Sequence, residues 1–145
     1  MTARIFRIAV LAALLTGCRQ QPEAEAPLDP GQVIYMARCA LCHGADREGK
    51  PGMYPPLAGA IWVDGFPTPM AAIILDGVQG PLDNFNSVMP AWRATLSDSD
   101  IAAVMTWLRR QEGKSPVTPV DVNHVRIITG SRGTFWTEPD LRNLH

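Results

Sequence analysis

Cys39-Ala40-Leu41-Cys42-His43 is the stretch that decides how this chain is read. Two cysteines three positions apart, with a histidine directly after the second, form the attachment pattern of a c-type haem. Each thiol can add across one haem vinyl group as a thioether, and the two intervening residues let both reach one porphyrin edge. The ring is then held beside His43, whose imidazole can fill one axial position of the iron. Two other chemistries share part of this pattern. A zinc ribbon needs a second ligand pair, and no cysteine follows Cys42. A thioredoxin-like dithiol belongs in a strand–helix–strand setting, and no such alternation surrounds this motif.

The 145 residues suffice for one small domain. Charge is nearly balanced, with 13 basic and 14 acidic residues, so no basic stripe exists for a phosphate backbone and nucleic acid is not the partner. Pro (13) and Gly (12) are plentiful, as in a loop-rich fold wrapped round a prosthetic group. A large flat apolar cofactor supplies core that so short a chain cannot build from its own side chains.

Residues 1–17 read as a signal segment and fall outside the fold. Arg4 and Arg7 make a positive start, and Ile8 to Leu15 is an apolar run too short to span a bilayer. It ends in Leu15-Thr16-Gly17-Cys18, the form of a bacterial lipoprotein cleavage box. Cys18 then becomes a lipid-bearing N-terminus, and the several acyl chains of that modification meet the requirement for stable anchoring. An ordinary signal peptide with an incidental cysteine is the other reading. With Cys18 lipidated and Cys39 and Cys42 on haem, no cysteine remains for a disulfide. Without residues 1–17 the chain keeps 11 basic and 14 acidic residues, a net charge of −3. Residues 18–28 have little to bury and read as a flexible tether.

Local signals place the remaining elements. Asp29 and Pro30 suit the N-cap and first position of a helix that runs into the haem motif. Gly44 to Tyr54 is a loop rich in glycine and charge. Thr68-Pro69-Met70 starts a second helix, with Gly77 as its stop. Gly80 to Val88 reads as a loop. Ser97 caps a third helix in which Ile101, Val104, Met105 and Leu108 recur at helical spacing.

In combination these features resemble a class I cytochrome c over residues 29 to about 112. The resemblance implies an all-α fold of three to five helices with long loops around one covalent haem c. It places Gly31 and Tyr35 where the first helix crosses the C-terminal one, with Trp107 as the facing aromatic. It implies that a proline two residues before Leu57 accepts the His43 Nδ1–H through its carbonyl. Pro55 holds that place, and the adjacent Pro56 leaves the choice between them open. Leu57 then packs on the porphyrin. Met89-Pro90-Ala91 matches the family's distal ligand element, so Met89 is the expected second axial ligand, 46 residues after His43. Pro90 restricts Met89 to extended geometry. Met70 on an apolar helix is more often core, as is Met105, and Met36 and Met53 stand too near His43. Val88 and Trp92 are expected on the pocket wall.

Residues 113–145 extend past the minimal domain. Thr118-Pro119 predicts the start of a helix carrying Val120, Val122, Val125 and Arg126. Phe135-Trp136-Thr137 then leads into a final turn through Pro139 and Leu141. This extension is either a strap over one face, with Phe135 and Trp136 buried, or a docking segment. His124 and His145 have no ligand-like surroundings. The function implied is electron transfer rather than catalysis, on the periplasmic side of a bacterial membrane, with redox proteins as partners. A fixed subunit of a periplasmic dehydrogenase or terminal oxidase is the alternative. A haem enzyme or sensor with a vacant distal site is a third.

Overall fold

The computed structural model describes residues 27–82, 84–130 and 132–144. The signal segment, Cys18 and His145 lie outside the described residues. In chain order the elements are α1 (Pro30–Arg38), α2 (Ala40–His43), α3 (Ile61–Asp64) and α4 (Pro67–Asp76). A hairpin follows, β1 (Val78–Leu82) and β2 (Phe85–Met89), then α5 (Asp98–Gln111), α6 (Pro119–Thr129) and α7 (Glu138–Arg142).

The helix starts follow their capping chemistry. The Asp29 carboxylate accepts from the Gly31 N–H at 2.8 Å, with Pro30 at the first position. Ser97 with Asp100, and Thr118 with Asp121, form two reciprocal capping boxes that open α5 and α6. In each, the hydroxyl accepts from one orphan N–H while the carboxylate accepts from another. Both carboxyls are held below the usual range by those donors. Gly77 ends α4 at a φ of 73°.

The framework is the crossing of α1 and α5. A Cβ on Gly31 would lie 2.1 Å from the Ala103 carbonyl oxygen and 2.7 Å from Trp107 Cβ. One turn on, the Tyr35 and Trp107 rings pack with centroids 4.8 Å apart. Bare backbone at Gly31 is what lets the two helices meet, as the resemblance implies. Arg109, on the same helix, is buried without a carboxylate. Its guanidinium donates to the carbonyls of Val63 (2.7 Å), Gly65 (2.8 Å) and Ser115 (3.1 Å). It thereby satisfies carbonyls that the short α3 leaves without helical partners.

Three features differ from the sequence expectation. Among the described residues there are seven helical segments, because α2, α3 and α7 are single turns of four or five residues. The helix expected from Thr68 begins at Pro67. Gly80 to Val88, read as a loop, belongs to an antiparallel hairpin in the register Val78↔Met89 to Leu82↔Phe85. Gly80 and Pro81 hide the strand, since both are depleted from strand interiors. Asn84 turns the chain at a φ of 69°, which asparagine tolerates.

The extension packs on this frame. Val122 and Val125 of α6 are buried in the common core with residues of α4 and α5. Beyond α6, Trp136 bridges Val78 in parallel and is buried. Phe135 stays 38% exposed, so only one of the expected buried pair is covered. Alternation explains this, since neighbours on an extended segment point to opposite sides.

Gly31→Ala is expected to destabilise the haem-loaded protein by about 3 kcal/mol, because the Ala103 backbone cannot yield to the added methyl. Denaturant unfolding measures it.

Candidate haem site

One apolar cavity of about 340 Å³ runs through the core. Cys39, Cys42 and His43 line one part of it, and Phe85, Ser87, Val88 and Met89 of β2 line another. Pro55, Pro56, Leu57, Trp62, Met70 and Trp92 contribute further wall. The residues that the sequence placed at the haem within the described stretch, Cys39, Cys42, His43, Pro55, Leu57, Met89 and Trp92, thus border the same space.

The cysteines are brought into place by a change of direction between α1 and α2. Cys39 caps both helices, and its carbonyl accepts from the Cys42 and His43 N–H groups at 3.1 and 3.0 Å. Burial and the neighbouring Cys42 push the Cys39 thiol up to about 11. Neither cysteine is paired in a disulfide. Tyr35 supports the turn, donating its hydroxyl to the Gly44 carbonyl at 2.6 Å. Burial and the neighbouring Cys39 push that hydroxyl up to about 12, so it stays a donor.

His43 is buried, and its Nδ1 lies 3.0 Å from the Pro55 carbonyl oxygen. A carbonyl can only accept, so Nδ1 carries the proton and Nε2 is the bare nitrogen. Burial lowers the imidazole pKa, with the Pro55 bond opposing it. A neutral ring with Nε2 free is the form a metal requires. Of the two prolines, this carbonyl belongs to Pro55.

Gly49 makes the arrangement possible and went unnoticed in the sequence. Its N–H donates to the His43 carbonyl at 2.8 Å. A Cβ there would lie 2.6 Å from the Pro55 oxygen and 2.5 Å from the Tyr54 oxygen. A glycine six residues after a histidine, inside a glycine-rich loop, carries no signal that separates it from Gly52.

On the other side, strand alternation sets Met89. In β2 the half-buried residues are Phe85, Ser87 and Met89, and Asn86 and Val88 are exposed. Pairing with the buried Val78 places Met89 on the inward face. The chain after it is tied to the end of α4. Trp92 N–H donates to Ile74 at 3.0 Å and Arg93 N–H to Leu75 at 2.9 Å. Those carbonyls are orphans of the helix terminus. Met70 and Met105 are buried core residues, and Met36 and Met53 are exposed.

The lining suits a haem. It is almost wholly apolar, it presents two cysteine sulfurs beside a tautomerically fixed imidazole, and one polar donor on it lacks a partner. Trp62 Nε1 is buried and finds no acceptor among the described residues, a cost normally met by a partner.

Residues 26–108, more than half of the chain, match the family described as cytochrome C oxidase, cbb3-type, subunit III. The chain belongs to the cytochrome c family. This cytochrome c domain carries one covalently bound haem c and serves electron transfer. Cytochrome c-552 of Thermus thermophilus is 31% identical over 132 residues, covering 81% of this chain and 84% of that protein. The cytochrome c subunit of alcohol dehydrogenase (quinone) from Gluconacetobacter polyoxogenes is 36% identical over 104 residues. That match covers 67% of this chain and 22% of the subunit, so the cytochrome aligns with about a fifth of it. The cbb3-type cytochrome c oxidase subunit FixP of Rhizobium meliloti is 29% identical over 107 residues, 70% of this chain and 34% of FixP.

Gly49→Ala and Gly52→Ala form a matched pair. Both glycines have φ near 70°, and a Cβ on Gly52 meets nothing. The Gly49 variant is expected to lose about 2 kcal/mol more than its partner and to move the His43 Nδ1–H resonance. Denaturation and proton NMR read the two effects.

Proposed function

We propose that this cytochrome is a one-electron carrier held at the periplasmic side of a bacterial membrane by lipid on Cys18. Cys39 and Cys42 would hold the haem as thioethers, and His43 and Met89 would hold its iron. The observation that carries this reading is the single apolar cavity shared by the two thiols, the Pro55-bound imidazole and Met89. When bound, the haem supplies an Fe(III)/Fe(II) couple.

The chain's own residues do the rest. Pro55 fixes the His43 tautomer and makes the ring a stronger donor. Met89 raises the potential relative to a second histidine. With both His43 and Met89 holding the iron, no position would be left for a substrate, which would separate a carrier from an enzyme or sensor. Leu57 and Trp92 keep water from the ring, and a dry site disfavours the more highly charged oxidised form. Partners are redox proteins that meet the exposed edge near Cys42 briefly, through a small interface.

Likeness to the cytochrome subunits of alcohol dehydrogenase (quinone) and to FixP favours a second reading, a fixed subunit of a dehydrogenase or oxidase. Purification in mild detergent separates the two. A carrier elutes alone, whereas a subunit brings its complex with it.

Two substitutions test the assignment. Met89→Ala is expected to abolish the methionine-to-iron charge-transfer band and lower the potential; an unchanged band and potential would remove Met89 as ligand. Cys18→Ser is expected to release the haem-loaded protein from the membrane fraction and to remove the lipid from its intact mass.

A further inference from the structure

We infer that the C-terminal extension is a positioning element for Met89, acting through a reciprocal arginine clasp. The inference rests on the reading of Met89 as axial ligand. The chain after Met89 begins with Pro90, which has no N–H to donate, so its anchorage comes from the residues that follow. Trp92 lines the cavity, and the next side chain, Arg93, reaches α6 instead.

Arg93 forks onto Asp76, the buried last residue of α4, with Nε and Nη2 at 2.6 and 2.9 Å from its two oxygens. The same guanidinium donates to the Arg126 carbonyl at 3.1 Å and to Thr129 Oγ1 at 2.7 Å, both on α6. Arg126 returns the contact. Its Nη1 donates to the Arg93 carbonyl at 2.8 Å, its Nη2 to the Leu96 carbonyl at 3.0 Å, and its Nε to Asp98 at 2.6 Å. The stretch from Arg93 to Asp98 is therefore held by α6 through both backbone and side chains. A planar fork with several fixed donors suits this work, and a lysine cannot replace it.

A second tie meets Met89 through the hairpin. Trp136 N–H donates to the Gly77 carbonyl at 3.0 Å, and the Gln79 N–H donates to the Trp136 carbonyl at 2.9 Å. Strand β1 thus has Met89 paired to Val78 on one edge and Trp136 on the other. At the joint, a Cβ on Gly77 would lie 2.4 Å from the Met89 oxygen and 2.8 Å from the Phe135 ring. The family match ends at residue 108, so the partners that α6 and Trp136 bring to both ties lie beyond the matched domain. Among the described residues the extension lines no part of the cavity; it holds the wall that presents the sulfur.

The test uses the full-length haem-loaded protein with Arg126→Gln and the near-isosteric Thr129→Val. Gly31→Ala is the control, since it destabilises through the α1–α5 crossing instead. The readouts are carbon monoxide affinity of the ferrous protein, the charge-transfer band, and amide exchange at Trp92 and Arg93. Arg126→Gln is expected to raise carbon monoxide affinity at least about tenfold, the equivalent of about 1.4 kcal/mol. Thr129→Val is expected to raise it less, and both to speed exchange at the two amides. Gly31→Ala is expected to lose stability with none of these changes. If the extension variants behave like Gly31→Ala, the inference is overturned and the extension only adds stability. Should Arg126→Gln not fold, Thr129→Val decides alone. Met89→Ala separates the two levels, because an unchanged band there removes the ligand assignment without touching the extension.

Discussion

An apolar hollow occupies the place where a larger protein would put its core. Helices α1 to α5 and both strands each give it at least one wall residue. Interiors are otherwise packed like organic crystals, so a space of this kind in so small a chain is the imprint of a group that completes the core. The short helices, the bent haem motif and the hairpin all follow from the need to surround a flat object while keeping their own backbone polar groups satisfied.

The two sides of the hollow present their side chains differently. His43 sits at the end of a single helical turn, and its orientation depends on one carbonyl. That carbonyl is reachable only because Gly49 has no side chain. Met89 sits at the end of a strand, and its orientation depends on register. A shift of one residue would turn Val88 inward and Met89 outward. The orphan carbonyls of α4 then take the N–H groups of Trp92 and Arg93. One terminus is thus completed by the chain that follows Met89. Burial of the imidazole and of the Cys39 thiol favours their neutral forms.

Much of this was legible along the chain because the signals are local. Caps need only a few consecutive residues: Ser97 was legible as the cap of α5 and Thr118-Pro119 as the start of α6, whereas the reciprocal bond of Asp121 emerged with the structure. The helix crossing was legible at Gly31, Tyr35 and Trp107 through the resemblance. The hairpin was not, since Gly80 and Pro81 weaken a strand whose pairing only the fold supplies. Arg109 stands near the C-terminal end of α5, where the local signal is only that of a cation favoured by the helix dipole. It is instead a buried donor to three carbonyls from α3 and the chain after α5. Phe135 and Trp136 looked alike as apolar neighbours, yet only Trp136 found a strand to cover it.

By itself the sequence determined the chemistry: two thiols and an imidazole within five residues, a methionine before a proline, and the starts of the main helices. These rest on covalent reach and on hydrogen bonds between near neighbours, which need no knowledge of distant parts. Only the tertiary structure decided which proline carbonyl meets His43, which face Met89 presents, and that Arg93 and Arg126 clasp each other across 33 positions. Those outcomes depend on surfaces far apart in the chain meeting in one register, and no local pattern of residue types encodes such a meeting.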